Sequence, residues 1–365
     1  MSNENIKKSD IAKKEEEILE FWNKNEIFKK SLEKESPKGE FVFYDGPVTS
    51  NSKPVFHTME PFSFKDIIPK YKTMRGYHVR RKGGWDTHGL PVELQVEKKL
   101  GFKSKKDIEE YGIEAFNKLC KESVWEYIEL WKDFTKRMGY WADQDNAYVT
   151  YHNSYIESIW NILKTIEGKK LLYKDYKVLP WCPRCGTALS SHELAQGYED
   201  DKDLSVTAKF KLKGMDNTYI LAWTTTPWTL PGNVALAVGN EIKYVKVKTK
   251  EGILILAKER MISLVKDVPE EFVIEKEFIG RDLVGLEYES LYPFMKEKFE
   301  GKNPEAFAKA YKVYPADFVT TEEGTGVVHT AVMYGQDDFV LGTLIGLPKF
   351  HLVKDDGNFL DGMNF

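Results

Sequence analysis

Residues 41–93 constrain the fold more than any other stretch of the chain. They read FVFYDGPVTSNSKPVFHTMEPFSFKDIIPKYKTMRGYHVRRKGGWDTHGLPVE. Phe41–Tyr44 is a short run of apolar, β-favouring residues, and Asp45-Gly46-Pro47 breaks it. A strand that enters a glycine-containing loop is how an open α/β sheet presents a ligand site. The stretch therefore predicts an α/β fold with a ligand site at the end of this strand.

The remainder of the stretch is first basic and then rich in turns. Seven Lys or Arg residues lie between Lys65 and Lys82, and Gly83–Pro91 then brings an acid, a histidine and an indole close together. A buried strand, a loop and a solvated basic helix would account for these residues without any function. So many specific residues in so short a span favour a ligand site instead.

Three segments of this stretch resemble the N-terminal catalytic region of class I isoleucyl-tRNA synthetases. They are YDGP, KDIIPKYKTMRGYHV and GWDTHGLPVE, and they match that family almost letter for letter. The valyl and leucyl enzymes carry different residues at the GWDTHGLP position, so the resemblance is specific to the isoleucine branch. It implies an amino-acid pocket formed by Gly46, Pro47 and Asp86, in which Asp86 binds the α-ammonium group of isoleucine.

The loop after YDGP departs from the family pattern. The family carries a His-x-Gly-His tetrapeptide that opens a helix, and an ungapped count from Gly46 puts it on Val55-Phe56-His57-Thr58. Val55 and Thr58 cannot stabilise developing phosphate charge as two histidines do, and His57 replaces the glycine that lets the adenine approach. The ATP motif is therefore degenerate, and we expect no ATP-dependent isoleucine activation by this chain alone.

Composition and charge limit the classes of protein that fit. The chain has 365 residues, of which 42% are hydrophobic and 30% charged, as in ordinary globular proteins. Its formal charge of −4 gives no overall attraction to nucleic acid, so contacts with RNA must come from local patches. The N-terminus is too polar for a signal peptide, no apolar run is long enough to span a membrane, and three cysteines do not make a disulfide framework. We expect a cytoplasmic protein without a membrane partner, and the sequence indicates no oligomeric state.

Helical patterns flank the stretch. Residues 9–34 have an apolar face and a cap at Ser9 or Asp10, residues 92–141 are mostly helical, and Tyr155–Lys169 is amphipathic. Tyr176–Pro180 has the composition of a strand.

Cys182 and Cys185 form a Cys-x-x-Cys pair. Two thiolates at this spacing can bind one zinc ion, but a structural site needs four ligands. Cys120 lies in a helical stretch, where a lone cysteine is most often a small buried hydrophobe, and His192 is not at a common zinc spacing. In the isoleucyl family such a pair commonly joins a second Cys-x-x-Cys further along. The pattern amounts to half a site, and it favours the absence of zinc over its presence.

The pattern changes to β from Tyr198 onward. The segments VTAKFKL, YILAWTTT, NVALAV, YVKVKT and ILILAK are short alternating or apolar runs separated by Gly, Asn and Asp. They predict a second, β-rich domain with a mixed barrel, around which helices such as Pro304–Tyr311 pack.

Two segments of this β-rich part carry candidate chemistry. Thr224, Thr225 and Thr226 place hydroxyls along a proline bend, and Gly324–Asp338 brings glycines, His329 and paired acids into fifteen residues. Each segment alone fits a structural role, because threonine favours strands and a lone histidine is more often structural.

Together the two segments resemble the editing domain of the isoleucyl family, which hydrolyses valine that has been mischarged onto the isoleucine tRNA. The resemblance implies that Asp338 holds the α-ammonium group and that His329 shapes the amino-acid pocket. It implies that Thr224–Thr226 bind the terminal adenosine and position the hydrolytic water. Val332 departs from the proline that is usual in the family.

The resemblance implies three domains. They are an N-terminal helical extension (1–40), the first half of a Rossmann-like catalytic domain (41–197) and a partial β-barrel-like editing domain (198–365). The family uses ATP, isoleucine and the isoleucine-accepting tRNA, and valine is the editing substrate. The chain ends before the second half of the nucleotide fold, so we expect deacylation to be its surviving activity. The alternative is a non-catalytic paralogue, or a truncated fragment, that binds an amino acid, tRNA or a protein.

Overall fold

The computed structural model of the chain describes residues 8–195, 197–250, 252–262 and 272–363. The chain forms two compact units, an N-terminal unit that ends at Lys174 and a C-terminal unit that begins at Asp175. The domain limits expected from the sequence, at residues 40/41 and 197/198, stay predictions.

Helices surround a small parallel sheet in the N-terminal unit. The strands β1, β2 and β3 lie in that order and all run in the same direction. The strands are β1 Val48–Thr49, β2 Lys82–Asp86 and β3 Asp143–Val149. The helices are α1 Asp10–Lys24, α2 Ile27–Glu33, α3 Met59–Met74, α4 Leu90–Leu100, α5 Lys105–Tyr111, α6 Ile113–Met138 and α7 Asn153–Gly168.

The N-terminal helix predicted over residues 9–34 is confirmed, with one interruption. Ser9 is its cap, because the Ala12 N–H donates to the Ser9 Oγ at 3.2 Å. The helix divides at Glu26, whose φ of 50° is left-handed and stops regular helical hydrogen bonding. The helices predicted over residues 92–141 and Tyr155–Lys169 are also confirmed.

The strand predicted at Phe41–Tyr44 is wrong. The Phe41 N–H donates to the His78 carbonyl at 2.8 Å, but no strand forms in this run. Phe41 and Phe43 are half-buried, but the side chains of Val42 and Tyr44 are 66% and 91% exposed, so only one side of the run packs against the unit. The sheet strand lies later, at Val48–Thr49, and pairs with Trp85–Asp86.

The core of the N-terminal unit forms between α6 and the sheet. Ile128 and Trp131 of α6 pack with Phe62, Trp85 and Val92, and Ile128 is fully buried. Ile128 and Trp131 are three residues apart and so lie on one face of α6, as its helical apolar spacing requires. This core holds the strands of the sheet in place, and polar residues of the unit lie at the carboxyl ends of these strands.

The described residues of the C-terminal unit form sheets of five, three and two strands. Their strand orders are β11-β9-β10-β7-β6, β12-β8-β13 and β4-β5. The first strands are β4 Trp181–Cys182, β5 Thr187–Ala188, β6 Val206–Lys211, β7 Thr218–Thr224 and β8 Ala235–Val238. The others are β9 Lys243–Thr249, β10 Gly252–Ala257, β11 Val273–Ile279, β12 Lys312–Pro315 and β13 Val327–Thr330. Within the described ranges of this unit, the α-helices with printed limits are α8 Ser191–Ala195, α9 Phe294–Phe299, α10 Pro304–Phe307 and α11 Gln336–Ile345.

The five strands predicted after Tyr198 are confirmed as β6 to β10. The strand predicted at Tyr176–Pro180 is wrong, because no ladder pairs with it and most of its side chains are exposed. The core of this unit includes Phe210, Ile220, Leu236 and Tyr288, each with almost no exposed area.

A substitution at Gly280 tests how closely this β-rich unit is packed. A Cβ atom at this buried position would lie 2.0 Å from the Gly239 carbonyl oxygen. That neighbour is backbone and cannot rotate away, so we predict that Gly280→Ala lowers the free energy of unfolding by about 1–3 kcal/mol. Urea unfolding measures the change. The control Gly301→Ala, where no atom lies within 4 Å of the added Cβ, should shift stability far less. Equal effects of the two substitutions would contradict the packing.

Candidate functional site

The threonine-rich bend lies at the end of β7. The Thr226 N–H donates to the Thr224 Oγ1 at 3.0 Å, and the two hydroxyl oxygens are 3.2 Å apart. Thr224 is buried, while Thr225 and Thr226 are exposed. Pro227 then opens a short 3₁₀ helix, Pro227–Gly232, for which its fixed φ is suitable. The bend thus presents hydroxyl groups at the surface and anchors them through Thr224.

Thr229 connects this bend to His329 on β13. The Thr229 hydroxyl donates to the Thr226 carbonyl at 2.8 Å and lies 3.1 Å from the His329 Nε2. A hydroxyl has one proton, so the Nε2 of His329 must be the donor in the second bond. The histidine is then the neutral Nε2–H tautomer, whose Nδ1 carries a lone pair.

Burial keeps His329 neutral. The residue is 6% exposed, and its Nδ1 has no hydrogen-bond partner among the described residues. Removal from water disfavours the charged imidazolium and lowers the pKa of His329 to about 4. At neutral pH this side chain is therefore uncharged.

Asp338 is the third residue of α11 and folds back toward the end of β13. Its carboxylate accepts a hydrogen bond from the Ala331 N–H, two residues after His329. A Cβ on Gly335 would lie 2.6 Å from the Asp338 Oδ2, so the close approach of the carboxylate requires glycine there. The carboxylate therefore lies over the backbone that carries His329.

The pKa of Asp338 is raised to about 7. Burial is the main cause, the charge of Asp337 adds to it, and the Ala331 N–H opposes it. Near neutral pH the carboxyl group is thus partly protonated. A cation that bound beside it would restore the ionised form, because opposite charge favours that form.

Aromatic packing holds the bend against the loop before α11. The rings of Trp228 and Tyr334 meet edge to face, with centroids 5.2 Å apart. A Cβ on Gly232 would lie 3.0 Å from the Tyr334 Cε2, so this contact is close. The structure joins Thr224, Thr226, Thr229 and His329 by direct hydrogen bonds. Asp338 joins them through Ala331, and Thr225 lies exposed on the same bend.

Thr229 is a site residue that no motif in the sequence indicates by itself. Its position three residues after Thr226, at the turn of a proline-initiated 3₁₀ helix, is the signal that could have identified it. The sequence could not show that its hydroxyl reaches His329, a hundred residues later.

A second group of polar side chains lies at the carboxyl ends of β1, β2 and β3. The Thr49 hydroxyl donates to the Asp86 Oδ2 at 3.2 Å, and the His88 N–H approaches the Asp86 Oδ1 at 3.4 Å. The Thr150 hydroxyl lies 2.7 Å from the His88 Nδ1 and accepts the Thr87 N–H at 3.0 Å. This is the end of a parallel sheet where ligands bind in open α/β folds.

The other predicted residues of this unit lie in the connection to α3. Gly46 is exposed with open space around it, and Pro47 directly precedes β1. Phe56–Thr58 forms a 3₁₀ turn in which the Thr58 hydroxyl accepts the Val55 N–H at 3.3 Å. Phe56 is 87% exposed and His57 is also exposed. The turn opens the helix as predicted, with side chains that offer no pair of histidines.

Cys182 and Cys185 lie on the tight hairpin between β4 and β5. The Gly186 N–H donates to the Cys182 carbonyl at 2.8 Å and closes the turn. Burial, with a hydrogen bond that the Cys185 thiol donates to Cys182, raises the pKa of Cys185. Among the residues that the structure describes, no group of three or more His, Cys, Asp or Glu could hold a metal ion. A structural zinc ion needs four ligands, and this pair provides only two thiols.

Cys120 is a half-buried residue of α6 that packs against the core of the N-terminal unit. Burial, with the charges of Glu93 and Glu97, raises the pKa of its thiol to about 11, so it stays protonated.

Comparison with known proteins identifies the family. The sequence model of the tRNA synthetases class I (I, L, M and V) matches residues 17–336. The isoleucine–tRNA ligase of Clostridium tetani is 52% identical over 347 residues, which is 95% of this chain and 32% of that relative. Isoleucine–tRNA ligase 2 of Bacillus anthracis is 48% identical over 366 residues, which is all of this chain and 34% of that relative.

Among solved structures, the LeuRS–tRNA–LeuAMS complex from Agrobacterium radiobacter K84 matches 96% of this chain and 44% of its own. Its identity is 17% and its TM-score 0.38.

The chain belongs to the class I tRNA synthetases, and within that class to the isoleucine–tRNA ligase family. It spans about a third of the length of the curated relatives that it matches. Within the described ranges, no helix combines the length and apolar character needed to cross a bilayer.

The buried His329 predicts a loss of stability in acid. The native state resists its protonation down to a pKa of about 4, whereas an unfolded histidine binds a proton near pH 6.5. Stability is therefore complete above about pH 6.5 and falls as the pH falls toward 4. We predict that His329→Gln, which cannot titrate, reduces the stability lost between pH 7 and pH 5 by roughly 1–2 kcal/mol.

Urea unfolding at the two pH values measures this difference. The control is His192→Gln, which replaces an exposed histidine of the same unit and should leave the pH dependence unchanged. An unchanged pH dependence in His329→Gln would show that His329 is not held neutral.

Proposed function

We propose that the C-terminal unit hydrolyses the ester that joins valine to the isoleucine-accepting tRNA. The observation that carries this proposal is the meeting of three features: the threonine bend, the neutral His329, and Asp338 with its raised pKa. A partly protonated carboxyl group gains most from a cationic partner, and the α-ammonium group of an aminoacyl ester is such a cation. The isoleucine–tRNA ligase relatives support the choice of the isoleucine-accepting tRNA.

In this mechanism the side chains bind and orient the substrate, and none of them attacks it. Asp338 pairs with the α-ammonium group, while the hydroxyls of Thr225 and Thr226 bind the terminal ribose and hold a water molecule. The water attacks the ester carbonyl carbon, and the bond from that carbon to the ribose oxygen breaks. Free valine and the tRNA hydroxyl are the products. Positioning of this kind lowers the barrier without a nucleophilic residue or a metal ion.

His329 serves selectivity in this proposal. A pocket built for isoleucine rejects valine poorly, because one methylene group is worth about 1–3 kcal/mol. A second site must therefore admit valine and exclude isoleucine by size. The bond from His329 to Thr229 fixes the ring, and a fixed ring excludes a larger side chain better than a mobile one.

We propose that the N-terminal unit keeps an amino-acid pocket around Asp86 but does not activate isoleucine. Family membership implies the use of ATP. In this chain Val55 and Thr58 occupy the positions where two histidines would meet the phosphates. The exposed Phe56 and the Thr58 hydroxyl, which accepts the Val55 N–H, supply no positive charge for that purpose.

The altered residues at Val55–Thr58 also favour a second candidate, a non-catalytic member of the family. Such a protein would bind an amino acid, tRNA or a protein partner through the same surfaces without turnover. The deacylation assay below separates the two candidates.

The first test of this proposal is deacylation. The full chain is incubated with valyl-tRNA charged on the isoleucine acceptor, and the release of valine is followed. We predict that Asp338→Ala lowers kcat/KM by roughly a hundredfold, because the loss of a close charge pair costs about 2–5 kcal/mol. For the wild type, kcat/KM should rise with pH through about 7 as Asp338 ionises.

The matched control is Asp337→Ala, which removes the exposed neighbouring acid and should retain activity. Equal rates for the wild type and Asp338→Ala would end the deacylase proposal and leave the non-catalytic one.

The second test is isoleucine-dependent exchange of pyrophosphate into ATP. We predict no exchange above background for this chain, because its N-terminal unit lacks the histidine pair that stabilises phosphate charge. Asp86→Asn, which loses the group proposed to bind the α-ammonium, serves as the negative control. Exchange by the wild type that Asp86→Asn abolishes would contradict the proposal.

A further inference from the structure

A basic cleft lies at the amino ends of β2 and β3, in the N-terminal unit. Its volume is about 500 Å³, and Arg80, Arg81, Lys82, His78 and Asn146 are among its lining residues. Lys82 and Asp143 are the first residues of their strands and pair in register there. Asp86 lies at the other end of β2. The cleft is therefore separate from the proposed amino-acid pocket, and its role is independent of the proposed deacylation.

Arg81 is the feature that distinguishes this cleft. The residue is 7% exposed, and its Nη2 donates to the Thr73 hydroxyl at 2.6 Å. The Nε and Nη1 atoms are buried and have no hydrogen-bond partner among the described residues. These two nitrogens carry three N–H donors, and buried donors without acceptors are costly.

The surroundings of Arg81 do not neutralise it. Its guanidinium lies 5.3 Å from the Trp141 ring centroid and 5.9 Å from that of Phe28. Asp66, the carboxylate that helps to stabilise its charge, already binds Lys70 and accepts the Trp141 N–H. Burial lowers the pKa of Arg81, which reflects incomplete compensation of the positive charge. An incoming anion would supply the missing compensation.

The charges of the side chains that line the cleft favour an anionic ligand. The lining includes three cationic side chains, Arg80, Arg81 and Lys82, and two carboxylates. Each of the two carboxylates already has a partner within the protein. Glu40 pairs with His78 at 2.8 Å, and Asp143 accepts the Asn146 side-chain N–H at 3.0 Å. Arg80 and Lys82 are exposed, so they meet an entering ligand before it reaches the buried charge of Arg81.

We propose that this cleft binds a phosphate group, with Arg81 as the buried donor and Arg80 and Lys82 at the entrance. Phosphate offers more acceptor oxygens than a carboxylate and suits several charged donors at once. The group can belong to an RNA backbone or to a free phosphate compound, and both present the same chemistry to the cleft.

The test titrates the full chain with inorganic phosphate and, separately, with a short RNA hairpin. Arg80→Ala/Lys82→Ala should weaken binding roughly tenfold or more. Arg81→Gln should do the same, with its thermal unfolding midpoint recorded to confirm that it folds. For RNA, the double variant should also reduce the salt dependence of binding, with a slope smaller by about one to two. The control Lys105→Ala/Lys118→Ala removes two exposed lysines outside the cleft and should change nothing.

Each outcome has a definite meaning. A loss confined to RNA identifies backbone phosphate as the ligand, and a loss confined to inorganic phosphate identifies a free phosphate compound. If neither probe binds the wild type, or if all variants bind as the wild type does, the proposal is overturned. The double variant decides the matter should Arg81→Gln fail to fold. Valine release by the same variants, measured separately, shows whether the deacylase proposal stands or falls independently.

Discussion

The hydrogen bond between Thr229 and His329 is the interaction on which the site in the C-terminal unit depends. It connects the bend after β7 to β13, and its geometry requires the Nε2–H tautomer of the histidine. Because the ring is fixed and neutral, it can define the size of a pocket without taking part in proton transfer. Ala331 directly follows β13, and its N–H holds the Asp338 carboxylate, so one short segment positions both residues.

Removal from water shifts the pKa values of the two titratable groups of this site, His329 and Asp338, in opposite directions for the same reason. Burial disfavours charge, so it lowers the pKa of His329 to about 4 and raises that of Asp338 to about 7. The neutral histidine meets its partner within the protein, whereas the carboxyl group gains from an external cation. Arg81 in the N-terminal unit follows the same rule, because burial lowers its pKa, and we propose that an external anion compensates its charge. In each case the charge that the fold leaves uncompensated indicates the ligand.

Family resemblance and periodicity predicted much of this structure from the sequence. The strands from β6 to β10 follow from their alternating patterns, and the N-terminal helix follows from its apolar face and the cap at Ser9. The strand predicted at Phe41–Tyr44 does not form, because β propensity depends on packing and the side chains of Val42 and Tyr44 are exposed. The hydrogen bond between Thr229 and His329 and the unpaired donors of Arg81 could not be predicted from the sequence. Both depend on packing between residues that are far apart in the chain.

The central claim is that Asp338 holds the α-ammonium group of an aminoacyl ester. The most direct measurement is an NMR titration of the Asp338 carboxyl carbon, with and without a non-hydrolysable analogue of valyl-adenosine. The account predicts a pKa of about 7 in the free protein and a clear decrease when the analogue binds, because the cation stabilises the carboxylate. An Asp338 pKa that the bound analogue leaves unchanged would contradict the account.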